Sequence, residues 1–527
     1  MISPALLERS GYWRTIGLAC GFLLLTAPSM PLLWAALGPS AAAGLGSGFT
    51  TAVGRSLAVG AGAAAGSLIL GLSCGLLAGL YRFPAKGIFL AALAAPLLTP
   101  SFLWAIGLSM LRIELGLPRD SFLSGAPGCV LSFAALGAPL VLFAVFLAVR
   151  SLPPSQVDAA RLAGGEGAVL HYAARATLPV ALAVSLLGGV LSLSDPGPGQ
   201  ILGFASAATQ ILISFSSLYD FDLATRQCLV IAGIVLAASA PLVWLCARWL
   251  AVELLPHNMG VMRPRIWTPA SWLGPTLLGL VFLVITMAPL AGLTMPILNR
   301  FWLVRVVETF ARTGSNTLLY GMLAGLIATV LALCLAICAT RVRSLRIALF
   351  AGLVLVFVLP PSLSALGTVF ASSAAPSWLD PILRSRFTVG VVLGIRLTPV
   401  AGIILVRAIG AMPPSWALAA SVHGVSLAAY MRKVLGPVLA GPMAASVALA
   451  ALIATADVTT ILLLQPPGQS SFPVTLFTVM ANAPESMVAS LCLSYVAGSF
   501  LAIAGILATF RVSGARLFQS AGGYEGK

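Results

Sequence analysis

Long unbroken apolar runs recur along the whole chain, separated by short polar segments rather than alternating with them. Six runs, at about 16–37, 52–80, 87–111, 127–150, 179–194 and 223–247, precede a polar, proline-containing stretch from Ala251 to Trp272. Six more follow, at about 274–297, 316–340, 347–371, 387–410, 438–464 and 486–510. Most approach the roughly 20 residues that a helix needs to cross a bilayer. Only helices and closed barrels satisfy their backbone polar groups in lipid, and barrel strands would read as short alternating segments. The pattern predicts an all-α polytopic membrane protein with about 12 transmembrane helices.

Composition agrees with this reading and narrows it. Apolar residues make up 59% and charged residues only 8% of the 527, with a mean hydropathy of +1.04. A soluble domain averages about 25% charged residues. The net charge of +15 does not imply nucleic acid, because no compact basic domain is present. Cytoplasmic loops of membrane proteins are enriched in Lys and Arg. With both termini cytoplasmic, the loops predicted inside hold most of the 29 Lys and Arg residues, while Arg300 to Arg312 runs against the rule. Pro39 and the residues after it resemble the end of a signal peptide. An uncleaved first span, preceded by Arg9 and Arg14, keeps the helix count even and is the preferred reading. The eight cysteines are scattered and read as small apolar filler.

The chain repeats itself. Pro153-Pro154-Ser155 recurs as Pro413-Pro414-Ser415, and Pro139 as Pro399, both 260 residues on. Pro100-Ser101 matches Pro361-Ser362, and Arg55-Ser56-Leu57 matches Asn316-Thr317-Leu318, at 261. A shift covering six spans, an even number, gives both halves the same orientation, the parallel type of transporter repeat. The predicted organisation is a first repeat of six spans over 1–250, a cytoplasmic linker over 251–273, and a second repeat of six spans over 274–527.

The duplicated P-P-S stretches are the most polar long segments between spans. In the first, Pro153-Pro154 ends the fourth helix, Ser155 is placed to cap a short new helix, Gly164 breaks it and Pro179 opens the fifth span. Asp158, Ala159 and Ala160 lie on that short helix, where the small alanines allow another protein close approach. The second copy places Leu418, Ala419 and Ala420 before Gly424, with Pro437 at the next span.

These residues resemble the E-A-A, three residues, G motif of inner-membrane permeases from binding-protein-dependent ABC importers. The first copy reads Asp158-Ala159-Ala160 to Gly164 and closes at Leu178-Pro179, two residues late. The second reads Leu418-Ala419-Ala420 to Gly424 and closes at Gly436-Pro437, on the family spacing. The resemblance covers nearly the whole chain as two fused permease domains. It lies nearest the iron(III), thiamine and aminoethylphosphonate group, with Asp195-Pro-Gly-Pro-Gly-Gln and Gln465-Pro-Pro-Gly-Gln as supporting text. It implies a bacterial inner-membrane subunit whose two loops dock on two ATP-binding subunits, with a periplasmic or extracellular binding protein delivering substrate, iron(III) first. Leu418 stands where the family has an acid, which leaves open whether the two ATPase contacts are equal; docking is expected to survive, because the shape and the Ala419-Ala420 face remain.

No phosphate-binding G-x-x-x-x-G-K-[ST] loop occurs, and no cofactor, metal site or catalytic constellation is expected. Two ionisable residues fall within predicted spans, Arg396 and Asp457. Burying a charge in the bilayer centre costs about 2.5–3.5 kcal/mol, so each must face protein or water. A structural ion pair and a lining of the substrate path both remain open for them. Arg396 corresponds to Leu136 in the first half, so either feature is one-sided. Pro100, Ser101, Pro361 and Ser362 are candidate hinges, since proline permits a kink. A secondary transporter driven by an ion gradient is the competing class, and it would need intramembrane carboxylates or broken helices.

Overall fold

The computed structural model describes residues 11–35, 44–83, 86–253, 265–266, 276, 279–281 and 283–522. The described residues are all-α apart from one two-residue parallel bridge between β1 (Tyr81–Arg82) and β2 (Arg265–Ile266). Among the described residues, ten helices are long and apolar enough to span a membrane, and two bent helix pairs raise the number to as many as twelve. The expected polytopic all-α architecture is observed.

The first half contains α1 (Tyr12–Thr26), α2 (Phe49–Leu80), α3 (Lys86–Leu93), α4 (Ser101–Glu114), α5 (Gly125–Arg150) and α6 (Pro154–Ser192). Two short helices follow, α7 (Gly197–Leu202) and α8 (Ala207–Ser216), and then α9 (Phe221–Glu253). The second half repeats the order with α10 (Ala288–Asn299), α11 (Leu303–Ala339), α12 (Arg343–Val358), α13 (Pro361–Ala374) and α14 (Arg386–Gly410). α6 is itself interrupted by the non-helical Gly164 and Gly165, and its counterpart is divided into α15 (Pro414–Val422), α16 (Leu427–Tyr430), a π turn at Met431–Leu435 and α17 (Gly436–Ala456). It is followed by α18 (Val458–Leu464), α19 (Phe472–Val479) and α20 (Glu485–Gly522). Of the predicted linker, Ala251 to Glu253 extend α9 and Arg265–Ile266 form the bridge. The remainder, with His257 and Arg263, lies outside the described residues, as does Arg9.

Each half is built on one tight bundle, α2 against α5 and α6 in the first, α11 against α14 and α17 in the second. The first helix of each half packs on the other half: α1 lies along α11, and α10 lies along α4. Close backbone approach explains the choice of residue there. A Cβ on Gly107 of α4 would sit 2.4 Å from the Pro289 carbonyl oxygen, and one on Gly367 of α13 would sit 2.1 Å from that of Pro28. Gly107 and Gly367 are 260 residues apart and Pro28 and Pro289 are 261 apart, so one exchange of helices occurs twice. Without a hydrophobic driving force between helices in lipid, such small-residue contacts supply much of the packing energy.

Two predicted spans are sharply broken rather than merely kinked. The axis turns by 102° between Lys86–Leu97 and Ser101–Glu114, and by 81° between α12 and α13. Pro100 caps α4 and Pro360 caps α13 with nearly the same backbone angles. The structural counterpart of Pro100 is therefore Pro360, one residue earlier than the Pro100-Ser101 and Pro361-Ser362 alignment predicts. The run 438–464 is likewise two helices, α17 and α18, separated at Asp457.

Several arginines of the loops predicted inside hold helix ends together. Arg14, fully buried, donates to the carbonyls of Ile337 (3.2 Å) and Cys338 (3.1 Å) at the C-terminal end of α11. A cation there also complements the helix dipole. Arg346 donates to Ala251 and Thr340 (2.8 Å each), and Arg341 to the Met412 carbonyl (2.9 Å). Arg305 and Arg312, which run against the charge rule, belong to the first turns of α11. That helix has 37 residues, about 55 Å at 1.5 Å per residue. It outreaches a hydrocarbon core of about 30 Å, so these turns extend past the core. The seven described cysteines are free thiols.

Candidate functional site

A cavity of about 270 Å³ lies where the broken helices of both halves meet. Its wall includes Pro100 and Ser101 at the α4 break, Pro361 at the α13 break, and the charged residues Asp195, Arg396 and Asp457. Ser362 lies outside this cavity, and its hydroxyl stands 3.3 Å from the Cys228 thiol of α9.

The two intramembrane residues singled out from sequence do meet. Arg396 Nε lies 3.2 Å from Asp457 Oδ2, with only 14% and 13% of the side chains exposed. Each also closes a break in the backbone. Arg396 Nη1 donates to the Leu359 carbonyl (2.8 Å), freed where α12 gives way to α13. Asp457 accepts from the Thr460 amide (2.9 Å) and hydroxyl (3.0 Å), capping α18. The guanidinium therefore ties the two discontinuities of the second half together. An ion pair with further hydrogen bonds on both partners is the form in which buried charges persist.

Asp195 is the residue that sequence reasoning missed. It falls one residue past the predicted span 179–194, in a run of prolines and glycines. In the structure it follows α6 as Asp457 follows α17, at the same kind of break before a short helix. Its carboxylate accepts from the Gly197 amide (2.8 Å), and the Ser101 side chain lies against it. The spacing of 262 residues between Asp195 and Asp457, close to the repeat shift, was the available signal. Leu136, the counterpart of Arg396, lines the same cavity. The second half thus contributes an acid with its own cation, and the first half an acid beside a leucine.

The short helices that frame the cavity are held by matched contacts. Ser56 Oγ accepts from the Ala207 amide (2.9 Å) at the start of α8, and Thr317 Oγ1 from the Phe472 amide (2.8 Å) at the start of α19. The matched triplets Arg55-Ser56-Leu57 and Asn316-Thr317-Leu318 owe their likeness to this role. Tyr320 adds a hydrogen bond to the Gln469 carbonyl (2.7 Å), anchoring the Gln465-Pro-Pro-Gly-Gln turn.

Both duplicated stretches form the expected short helix. Their burial repeats position by position: Val157 and Ala417 point inward, each 2% exposed, while 158, 159, 162 and 163 face outward in one copy and 418, 419, 422 and 423 in the other. Leu162 and Val422, at equivalent places, are 91% and 83% exposed. Ala160 and Ala420 sit at the margin of the outward face.

Several local expectations need correction. Pro153, not Ser155, occupies the N-cap, and the helix begins at Pro154. Gly164 has φ −159°, and the left-handed residue is its neighbour Gly165 at φ +67°; in the second copy it is Gly424, at φ +66°. Pro179 lies inside α6 rather than at its start, because helix resumes directly after the two glycines. Pro437 does open a helix, α17.

The asymmetry of the two copies extends beyond Asp158 and Leu418. Asp158 pairs with Arg161 (2.9 Å), which also pairs with Glu166 (2.9 Å), and Tyr81 donates to Glu166 (2.7 Å). The second copy has Leu418 and Ser421 in place of Asp158 and Arg161, so acid and base are replaced together. Its tether to the preceding loop is instead Arg341 on the Met412 carbonyl. Comparisons with protein-family models, with curated proteins and with solved structures gave no match to this chain.

Proposed function

We propose that this multi-pass membrane protein is the permease subunit of an ATP-driven importer, forming the translocation path and carrying no ATPase site of its own. The observation that carries the reading is the duplicated surface helix, with its repeated burial pattern and its exposed Leu162 and Val422. Apolar side chains so exposed, at two equivalent places of the repeat, suit two copies of one partner. That partner is an ATP-binding subunit at each helix, as the resemblance implies. A substrate-binding protein then delivers cargo at the opposite face, in a bacterial inner membrane with both termini cytoplasmic. The breaks flanking the cavity supply hinges for alternation between outward- and inward-facing states. Iron(III) is the cargo the resemblance puts first, followed by thiamine or an aminoalkylphosphonate.

Purification with the cognate ATPase, followed by hydrolysis and uptake in liposomes with and without the binding protein, tests this. ATP-dependent uptake that survives collapse of the proton gradient is expected. Asp195 and Asp457 at broken helices specifically favour one other reading, a gradient-driven transporter, since that class places ion-coupling carboxylates at such breaks. Absence of ATPase association together with uptake abolished by a protonophore would establish that alternative.

A further inference from the structure

The two halves place equivalent acids in one cavity but, among the described lining residues, only one cation. In the second half Asp457 is neutralised by Arg396. In the first half the position of Arg396 is taken by Leu136; Asp195 feels the charge of Arg396 across the cavity but has no contacting ion-pair partner among the described residues. A carboxylate without a contacting cation at membrane depth is costly, and the Gly197 amide and Ser101 side chain together satisfy only part of its acceptor capacity. The neighbouring Ser194 is 6% exposed, lines the same cavity, and its hydroxyl has no hydrogen-bond partner among the described residues. Phe133, Phe357 and Phe477 contribute aromatic surface to the wall, which attracts cations.

We propose that the first-half side of this cavity is a substrate subsite for an organic cation, in which an ammonium or guanidinium group of the cargo binds Asp195 as Arg396 binds Asp457. The cargo thereby completes the charge pattern that the second half completes by itself. Arg396 stands against a bare trivalent metal ion, because it brings positive charge into the cavity and already occupies one of the two carboxylates. The cavity volume matches a small molecule carrying such a group. The inference rests on the transport reading of the cavity but on neither the ATPase nor the binding protein.

Binding is therefore measured on the purified permease alone, in nanodiscs, with agmatine and choline as cationic probes and inorganic phosphate and iron(III) citrate as controls. Thermal stabilisation with rising probe concentration reports affinity, because ligand bound to the native state shifts its stability. At least one cationic probe is expected to stabilise the wild type while phosphate and iron(III) citrate do not. Asp195→Asn, which retains an acceptor for the Gly197 amide, should weaken that binding at least 10-fold; Asp195→Glu should retain most of it. Leu136→Arg should abolish binding by installing the missing cation, and Leu136→Met, a volume-matched control, should not. Stabilisation by neither cationic probe, equal binding by Asp195→Asn, or preference for phosphate or iron(III) citrate would overturn the proposal. Should Asp195→Asn fail to fold, Leu136→Arg decides the matter by itself, and unchanged binding there is likewise fatal. A failure here with ATP-driven uptake intact would refute the subsite and leave the importer reading standing.

Discussion

Gly107 of α4 lies directly against the backbone carbonyl of Pro289, with the place of a Cβ only 2.4 Å from that oxygen. The same contact, Gly367 on Pro28, closes at 2.1 Å in the other half. Backbone cannot yield as a flexible side chain can, so a larger residue must push the exchanged helix away. Gly107→Val and Gly367→Val should each destabilise by about 1–3 kcal/mol, as overpacking does. Gly233→Ala on α9, where nothing lies within 4 Å, should leave stability nearly unchanged. Thermal midpoints from fluorescence-detected size exclusion would compare the three.

Arg396→Met removes the cation from a pair whose side chains are only 14% and 13% exposed. It leaves Asp457 buried and frees the Leu359 carbonyl. Breaking one side of a buried pair costs about 3–5 kcal/mol, and a clear fall in folded yield is expected. Adding Asp457→Asn should recover part of the loss, since no charge is then stranded. A double-mutant cycle on thermal stability measures the coupling, and strictly additive effects would contradict the pairing.

Ser56→Ala and Thr317→Val remove equivalent acceptors from the amides that start α8 and α19. A buried amide left without a partner costs about 1–3 kcal/mol. Both variants should lose stability by similar amounts, measurable as matched shifts in thermal midpoint. A loss confined to one half would show that the two anchors differ in strength.

The duplicated surface helices, proposed to dock the ATPase, call for separate tests of geometry and of surface. Gly424 adopts φ +66°, a conformation that side chains rarely accept, so Gly424→Glu should distort the end of α15 and uncouple transport. Leu162→Glu and Val422→Glu alter only exposed positions; they should leave thermal stability within about 0.5 kcal/mol while sharply reducing association with the ATPase. Co-purification separates the two effects. Full transport by Gly424→Glu would argue against the proposed docking role.

Much of the molecule was legible in advance, and for local reasons. Unbroken apolar runs are demanded by the bilayer and need no tertiary context, so the membrane class and the span count followed directly. Duplicated proline motifs and the short helices after them are set by backbone chemistry within a few residues. Their likeness in the two halves therefore survived in the text. Gly164 was misjudged by one position because two adjacent glycines are equally permissive, and only the helix packed beyond them selects Gly165.

The sequence by itself determined that the chain crosses a membrane many times, is built of two like halves, and repeats one surface helix. Tertiary structure alone decided that α1 and α10 change sides, that two spans break through 102° and 81°, and that Asp195 joins Arg396 and Asp457 around one cavity. The physical reason is the uniformity of the chain. When lipid-facing and protein-facing residues are alike apolar, periodicity no longer marks the packed face of a helix. Partners are then chosen by where small residues admit another backbone, as at Gly107 and Pro289, and by where a buried charge finds its counterpart, as Asp457 does in Arg396.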